Sequence, residues 1–404
     1  MKRILFVDDE TKLLDGLQRM LRPQRKQWEM AFANTGEEAL AILSTAPFDV
    51  IITDMRMPEM DGAALLERVK QRFPNVIRIV LSGCCEKEAA LRAVPVAHQF
   101  LAKPCDPEKL REAVERCCSL STMLPDIAIR RVIGAIGELP CLSMTCAKLM
   151  ETLEMPNVPL QEIGKIIEQD VGITAKVLQL VNSAFFGRLR EVTSVRMAVS
   201  YLGLDTLKQL ILSAEIFRTF HIARPIPGFS MEDFQHHSQL AARISARFPA
   251  SKSVISAAVV AALLHDTGKL VMAARLPGQF TTALMVSAES GRPLHAVEQQ
   301  LTGVGHAEVG AYLLGLWGLP VAIVDAVCRH HQPSPERQEE GLDVLAITHI
   351  ADALALDVAG ITPLDAQSGR GLLRQEYLQA IGVAEQISEW RSMAQAVLAE
   401  QTEI

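Results

Sequence analysis

The sequence predicts two domains of different fold class: an α/β domain with a five-stranded parallel sheet, then an all-helical domain. Up to about residue 120, short apolar segments alternate five times with segments of helical periodicity. Beyond residue 123, apolar residues recur at helical spacing and strand-like alternation is almost absent. These two observations place the domains at residues 1–122 and 123–404.

The composition is that of a folded protein. The chain has 404 residues, of which 49% are hydrophobic, and a net charge of -7 without a stretch rich in Lys and Arg, which argues against DNA as a ligand. The longest apolar run, Val254 to Leu264, is too short to span a bilayer, and the N-terminus lacks the apolar core of a signal peptide. Eight cysteines without CxxC spacing indicate reduced thiols. We therefore expect a cytoplasmic protein.

The elements of the first domain follow from short apolar runs and the amphipathic segments between them. The predicted strands are 4–7, 29–32, 50–53, 76–81 and 99–101. The predicted helices are 11–21, 37–43, 63–73, 86–93 and 107–117. Alternation of this kind gives a parallel sheet with helices on both faces, and its functional crevice lies at the carboxyl ends of the strands.

Polar residues fall at those strand ends. Asp8 and Asp9 follow the first strand, Asp54 the third, Ser82 the fourth and Lys103 the fifth. Three converging carboxylates suit a hard cation such as Mg²⁺, and a neighbouring lysine would neutralise an incoming phosphoryl group. Asp54 is then a carboxylate nucleophile that can form an acyl phosphate.

This part of the chain resembles the receiver domain of bacterial response regulators. The matching segments are Val7-Asp8-Asp9-Glu10, Asp54 with Met57-Pro58 and Asp61-Gly62, Leu81-Ser82-Gly83, and Phe100-Leu101-Ala102-Lys103-Pro104. The resemblance implies a flavodoxin-like fold, phosphorylation of Asp54 by a sensor histidine kinase, and Mg²⁺ bound by Asp8, Asp9 and Asp54. Ser82 would contact the phosphoryl oxygens, Lys103 would pair with them, and Phe100 would be an aromatic switch residue.

The junction reads as one helix from Pro107 to Leu120, with a mild break at Ser119–Thr122 and no flexible Gly/Ser tether. A helical connection can transmit a rotation between domains. In the second domain, Asn157 and Asp205 are predicted helix N-caps, and Asp170 is predicted to anchor the helix that follows it.

The middle of the chain resembles the HDOD family, which is related to the HD metal phosphohydrolases. The resemblance rests on Leu139 to Leu142, Ile166 to Asp170, Lys176 to Gly187 and Ala198 to Gly203, within an HDOD core at about 135–335. Asn182 and Ser183 interrupt an apolar helix. Two interpretations stay open: they lock the helix packing through hydrogen bonds, which we favour, or they contact a ligand.

Seven of the ten histidines lie between His236 and His331. Adjacent imidazole and carboxylate groups at His265-Asp266, at the end of a buried helix, suit a metal site. The ordered candidates are His237, His265, Asp266, Lys269, His306, His330, His331 and Asp352. No partner is apparent for His221, His236, His295 or His349, although His349 could replace a ligand near Asp352.

This order resembles that of HD phosphohydrolases, especially the HD-GYP phosphodiesterases of cyclic di-GMP. The resemblance implies a core site of His237, His265, Asp266 and Asp352, and a second ion on His306, His330 and His331. Asp266 would bridge the two ions, which would be Fe, Mn or another divalent transition metal, and Lys269 would contact phosphate. Asp233 stands where some members hold a third metal with Glu. The expected Gly-rich loop after His331 is replaced by Gln332 to Glu336, and no Gly-Tyr-Pro motif occurs.

Two hypotheses follow. The protein is a response regulator, expected to dimerise, whose output domain is a regulatory module that contacts a downstream signalling protein. Alternatively, it is a phosphorylation-gated, metal-dependent phosphohydrolase of a nucleotide or cyclic dinucleotide. A DNA-binding regulator is a weaker third reading because the output half has no basic recognition element.

Overall fold

A computed structural model of the chain describes residues 1–83, 93, 96–103, 106–120, 127–134, 136, 145, 148–149, 152, 158–182, 192–201, 225–334, 341–361 and 373–402. Most of the predicted helix at 86–93 lies outside these residues. So do Asn157, Ser183, Asp205 and His221.

The first domain contains the predicted parallel sheet. Its strands are β1 (Lys2–Val7), β2 (Trp28–Ala33), β3 (Val50–Asp54), β4 (Ile77–Gly83) and β5 (Gln99–Lys103). They are hydrogen-bonded in the order β2-β1-β3-β4-β5, and all four pairings are parallel, which confirms the predicted fold class. Every residue of β3 is buried, as expected for a central strand covered on both faces.

The helices described in this domain are α1 (Thr11–Met20), α2 (Gly36–Thr45), α3 (Gly62–Arg72) and α4 (Pro107–Leu120). The start of α3 shows why Asp61-Gly62 follows the strand-end aspartate. The Asp61 side chain caps α3 by accepting a hydrogen bond from the Ala64 N–H at 2.8 Å. A Cβ on Gly62 would lie 2.2 Å from the Asp54 carbonyl oxygen, so only glycine lets the helix start this close to β3.

The rest of the described chain is helical. Its helices are α5 (Ile127–Gly134), α6 (Leu160–Ile167), α7 (Val171–Asn182), α8 (Met231–Ser245), α9 (Lys252–Leu264), α10 (Thr267–Arg275), α11 (Pro277–Ser290), α12 (Leu294–Thr302), α13 (His306–Leu316), α14 (Val321–Arg329), α15 (Val344–Val358), α16 (Gln375–Ala380) and α17 (Ile387–Thr402). Helix α15 packs on α8, α9 and α14, and α13 packs on α10 and α14. This packing gathers the elements that carry the histidine and aspartate candidates.

Two polar residues of the middle segment have structural hydrogen bonds. Asp170 Oδ1 accepts from the Ile173 N–H at 2.9 Å, which confirms that Asp170 anchors the start of α7. At the other end of α7, the Asn182 amide exchanges two hydrogen bonds with the backbone of Val192, at 2.7 and 2.8 Å. Asn182 therefore fastens the returning chain to the helix, as the structural interpretation predicted.

One stretch, Lys252–Arg275, is long and apolar enough to cross a membrane by length and composition, because α10 continues the apolar run of α9. However, 72% of its most apolar window is buried inside the protein. This degree of burial is typical of a core helix in a folded domain.

A buried arginine joins the two domains at the amino ends of β4 and β5. Arg78 is 1% exposed, and its Nη2 donates to the Gly134 carbonyl oxygen, the last of α5, at 2.6 Å. Its Nε and Nη1 donate to the carbonyl oxygens of Val96 and Val76, at 2.6 and 3.2 Å. Burial lowers the pKa of the Arg78 guanidinium to about 9, so the group remains a cation at the negative end of the α5 dipole.

His98 completes this interdomain contact. Its Nδ1 accepts from the Arg78 backbone N–H at 3.0 Å, and burial, together with the Arg78 charge, lowers the His98 pKa well below the usual value. The Nε2 of the neutral ring lies 2.9 Å from Arg78 Nη2 and 3.1 Å from the Gly134 carbonyl oxygen. Gln179 of α7 donates to the His98 carbonyl oxygen at 3.2 Å. A Cβ on Gly134 would lie 2.4 Å from the Pro74 carbonyl oxygen, so the contact requires glycine.

Candidate phosphorylation site and metal centre

The carboxyl ends of the strands bring together three of the predicted receiver residues. Lys103 Nζ lies 2.7 Å from Asp8 Oδ2 and 2.5 Å from Asp54 Oδ1. Asp8 and Asp54 are buried, 1% and 6% exposed, whereas Asp9 is exposed beside them. Ser82 lies at the end of β4, paired with Ala102, and its side chain is outside the described residues. Phe100 is buried in β5.

The electrostatics of this cluster suit a cation. Burial raises the pKa of Asp54, and the nearby Asp8 raises it further, although Lys103 acts in the opposite direction. The Asp54 Oδ2 accepts only one backbone hydrogen bond that the structure describes, from the Arg56 N–H at 2.9 Å. Two buried carboxylates that share a single ammonium group fit a bound Mg²⁺, which would supply the missing positive charge.

In the helical domain, each candidate ligand stands at a helix end or on a helix that faces the centre of the bundle. His237 is on α8, His265 follows α9, Asp266 precedes α10, and His306 begins α13. His330 and His331 follow α14, and Asp352 is on α15. The structure brings all seven together in two adjacent groups, within each of which the ligand atoms lie less than 4.8 Å apart.

The first group consists of His237, His265 and Asp352. His237 Nε2 lies 3.2 Å from His265 Nε2 and 3.0 Å from Asp352 Oδ1, and His265 Nε2 lies 3.5 Å from that same oxygen. Ligand atoms bound to one ion at about 2.1 Å are separated by about 3.0 to 3.5 Å. The spacing therefore matches that of one coordination sphere.

The second group consists of Asp266, His306, His330 and His331. His306 Nε2 lies 2.9 Å from His331 Nε2 and 3.2 Å from Asp266 Oδ1. The other oxygen, Asp266 Oδ2, lies 3.4 Å from His265 Nε2 in the first group. Asp266 thus directs one oxygen to each group, the arrangement that a bridging carboxylate needs.

Hydrogen bonds on the far side of the rings orient several of these ligands. His265 Nδ1 and His330 Nδ1 each donate to a backbone carbonyl oxygen three residues earlier, both at 2.7 Å. This leaves Nε2 of each ring directed at the cluster. Among the residues that the structure describes, the buried His330 Nε2 has no hydrogen-bond partner. Coordination of a metal ion would give this buried nitrogen the partner that it lacks.

The pKa values show how unequal the rings are. Burial alone would lower the pKa of His265, but the neighbouring Asp266 and Asp352 raise it to about 10. Burial would also lower the pKa of His306, but the nearby Glu298 and Asp266 raise it to about 9. Metal binding would have to displace these protons, so it would be linked to proton release.

The rings of His330 and His331 differ from those of His265 and His306. Burial lowers the pKa of both His330 and His331 well below the usual value, and nearby histidines lower it further. Both rings are therefore neutral, and a neutral ring offers a nitrogen lone pair to an ion.

A close helix contact sets the distance between Asp266 and His306. A Cβ on Gly268 would lie 1.8 Å from the His306 carbonyl oxygen, and a Cβ on Gly310 of α13 would lie 2.9 Å from the Gly268 backbone nitrogen. Helices α10 and α13 can approach this far only because both positions are glycine. The glycine of the His-Asp-Thr-Gly segment is thus a packing requirement of the site.

The other candidate residues lie at the edge of the two ligand groups or outside them. Lys269 Nζ is 2.5 Å from Asp266 Oδ2, and its predicted role as a phosphate contact stays a prediction. Asp233 and His236 are exposed on α8 and belong to neither described group. His349 donates from Nδ1 to the His330 carbonyl oxygen at 2.6 Å and accepts at Nε2 from the Arg374 N–H. His349 therefore supports the chain at His330.

Sequence reasoning missed Glu298 and the position of His295. Glu298 is fully buried, and its Oε2 accepts from His306 Nδ1 at 2.6 Å. His295 stacks on His331, with ring centroids 4.3 Å apart. Both are on α12, between Lys269 and His306 in the chain. In sequence, a glutamate that is followed by Gln299 and Gln300 gives no sign of burial. Only a ligand histidine eight residues downstream of Glu298 could have drawn attention to it.

Comparison with known families identifies both halves of the chain. Residues 4–115 match the response regulator receiver domain, and residues 139–333 match the HDOD domain. The chain therefore has the architecture of a response regulator with an N-terminal receiver domain and a C-terminal HDOD domain.

Individual relatives cover parts of this architecture. An uncharacterized protein of Treponema pallidum is 27% identical over 65% of this chain and 50% of its own length. The hydrogenase transcriptional regulatory protein HoxA of Cupriavidus necator is 36% identical over 28% of this chain and 24% of its own length. The chain thus spans half or less of the length of these relatives. The crystal structure of a virulence factor from Campylobacter jejuni has a TM-score of 0.50 at 21% identity, covering 70% of this chain and 97% of that one, and shares the fold.

Proposed function

We propose that the protein is a two-component response regulator that is phosphorylated on Asp54 and relays this signal to its HDOD domain, which acts mainly as a regulatory module. The observation that carries the proposal is the contact of Lys103 Nζ with both Asp8 and Asp54 at the strand ends. A sensor histidine kinase would be the phosphoryl donor, and the target a downstream signalling protein. We further propose a cytoplasmic homodimer.

The chemistry follows from the cluster. An Asp54 carboxylate oxygen attacks the phosphorus of a phosphohistidine, the P–N bond breaks, and the imidazole of the kinase leaves with the electron pair. Lys103 pairs with the transferred phosphoryl oxygens, and Ser82 donates to them. Asp8, Asp9 and Asp54 would hold Mg²⁺, which would supply charge neutralisation for the transfer.

Relay to the helical domain is supported by the contact around Arg78. The strands that end in Ser82 and Lys103 begin next to Arg78 and His98, which hold the last carbonyl group of α5. A strand is stiff along its length. A shift at the carboxyl ends of β4 and β5 would therefore displace their amino ends, where Arg78 and His98 lie.

The first prediction tests the phosphoacceptor. We expect beryllofluoride, a phosphoryl mimic, to change amide hydrogen exchange in α5 of the full chain, and we expect Asp54→Asn to abolish this change. Asp49→Asn is the matched control, because Asp49 precedes β3 at its other end and accepts from the Arg3 N–H at 2.7 Å. An Asp54→Asn protein that still responds would refute the assignment of Asp54. A response restricted to the receiver domain would refute the relay.

The second candidate function is a metal-dependent phosphohydrolase of a nucleotide or cyclic dinucleotide. It is favoured by the convergence of seven ligands in two groups that share Asp266. Two divalent ions of Fe or Mn would activate water and hold the phosphodiester oxygens. The side chains that would bind them are His237, His265, Asp266, His306, His330, His331 and Asp352.

The second prediction separates the two functions. We expect wild-type protein to contain about two transition-metal ions per chain, and the His265→Ala/Asp266→Ala variant to contain none. His236→Ala is the control, because His236 is exposed on the same helix as His237. Wild-type protein without bound metal would exclude the hydrolase. Turnover of bis(p-nitrophenyl) phosphate that disappears with the metal would exclude a purely regulatory HDOD domain.

A further inference from the structure

The buried carboxylate of Glu298 has an unusual set of contacts. Its Oε2 lies 2.6 Å from His306 Nδ1 and 2.8 Å from the His306 backbone nitrogen, so both hydrogen bonds are donated by one residue. Among the residues that the structure describes, Oε1 has no hydrogen-bond partner. Glu298 is fully buried, and burying a carboxylate destabilises the folded state unless its contacts compensate.

Two carboxylates accept hydrogen bonds at the start of α13. Glu298 Oε2 accepts from the His306 N–H, the first of the helix, at 2.8 Å, and Glu308 Oε2 accepts from the Gly305 N–H at 3.0 Å. Glu308 is only partly buried and has no described contact with a ligand ring. The contact that distinguishes Glu298 from Glu308 is therefore the one with the His306 imidazole.

This contact also distinguishes His306 from His265 and His330. His265 and His330 donate from Nδ1 to neutral backbone carbonyl groups. His306 donates to a charged carboxylate, which holds Nε2 as the metal-facing nitrogen and makes that nitrogen a stronger electron donor. Within the second group, His306 would consequently be a stronger ligand than His330.

We propose that Glu298 is a positioning residue for the ion of the second group, which it serves by orienting and strengthening His306 as a ligand. The inference rests on the proposed metal centre and adds to it a residue outside the ligand set. It predicts that Glu298 controls the affinity of one ion and leaves the other unchanged.

The test isolates each half of the centre in the full-length chain and uses Co²⁺ as the probe. His237→Ala removes a ligand of the first group and leaves the second group complete, whereas His331→Ala does the reverse. In the His237→Ala background we expect Glu298→Gln to weaken Co²⁺ binding about 10- to 100-fold and to shift the visible absorption of the bound ion. In the His331→Ala background we expect Glu298→Gln to change the affinity less than about twofold.

Glu308→Gln is the matched control, since it alters a carboxylate at the same helix start without touching the His306 ring. We expect it to leave Co²⁺ affinity and absorption unchanged in both backgrounds. Hydrogen exchange of α13 in the presence of chelator shows whether each variant is folded. If Glu298→Gln is unfolded, Glu298→Asp serves as a second variant.

The possible outcomes separate a failure of the Glu298 inference from a failure of the proposed metal centre. If wild-type protein binds no Co²⁺, the metal centre is wrong and Glu298 positions no metal ligand. If wild-type protein binds two ions and Glu298→Gln binds both equally well, only the role of Glu298 is wrong. An equal loss in both backgrounds, or the same loss in Glu308→Gln, would mean a general structural effect and would also overturn the inference.

Discussion

Replacing Gly268 with alanine is expected to dismantle the proposed metal centre although Gly268 is not one of its ligands. The added Cβ would lie 1.8 Å from the His306 carbonyl oxygen and 2.8 Å from the Gly310 nitrogen. Helix α10 must therefore move away from α13, and Asp266 moves away from His306 with it. We expect a loss of about 3 kcal/mol in the free energy of unfolding.

Metal content and denaturant unfolding of Gly268→Ala measure these two effects. We expect metal binding at both groups to weaken more than about tenfold, because Asp266 has an oxygen in each. Gly278→Ala is the control, since a Cβ there meets nothing within 4 Å. It should leave metal content unchanged, and its stability should stay equal or rise slightly. Full metal binding by Gly268→Ala would show that the close helix contact does not set the site.

Replacing Arg78 with methionine is expected to break the contact between the domains while leaving Asp54 competent. Methionine keeps apolar volume but removes the guanidinium donor of the Val96 carbonyl oxygen and leaves the Gly134 carbonyl oxygen with His98 Nε2 alone. Each buried acceptor left unsatisfied costs about 1 to 3 kcal/mol. We therefore expect faster hydrogen exchange in α5, normal labelling of Asp54 by acetyl phosphate, and no response of α5 to beryllofluoride.

Arg3→Met is the matched control for this prediction. Arg3 also stands near the amino end of a strand, but its ion pair with Glu29 is exposed to solvent and contributes about 0 to 1 kcal/mol. We expect this variant to respond like wild type. If Arg78→Met still transmits the beryllofluoride response to α5, the signal does not travel through the arginine contact.

The fold class and the convergence of polar residues at the strand ends were predictable because they depend on local patterns. The apolar runs that become β1, β3 and β5 are each followed by a polar residue, and parallel strands place these residues at one edge of the sheet. The convergence of Asp8, Asp54 and Lys103 follows from that rule alone. The order of histidines and aspartates likewise predicts a metal site, and the structure brings these residues together in two groups.

The sequence by itself determined which residues are candidates, and the tertiary structure decided how they are divided and supported. Only packing shows that Asp266 directs one oxygen to each group. Only packing shows that Glu298 is buried against His306, or that Arg78, between Ile77 and Ile79, binds a helix of the next domain. The physical reason is that a charged residue looks the same in sequence whether it is hydrated at the surface or paired with a buried partner 8 to 56 positions away.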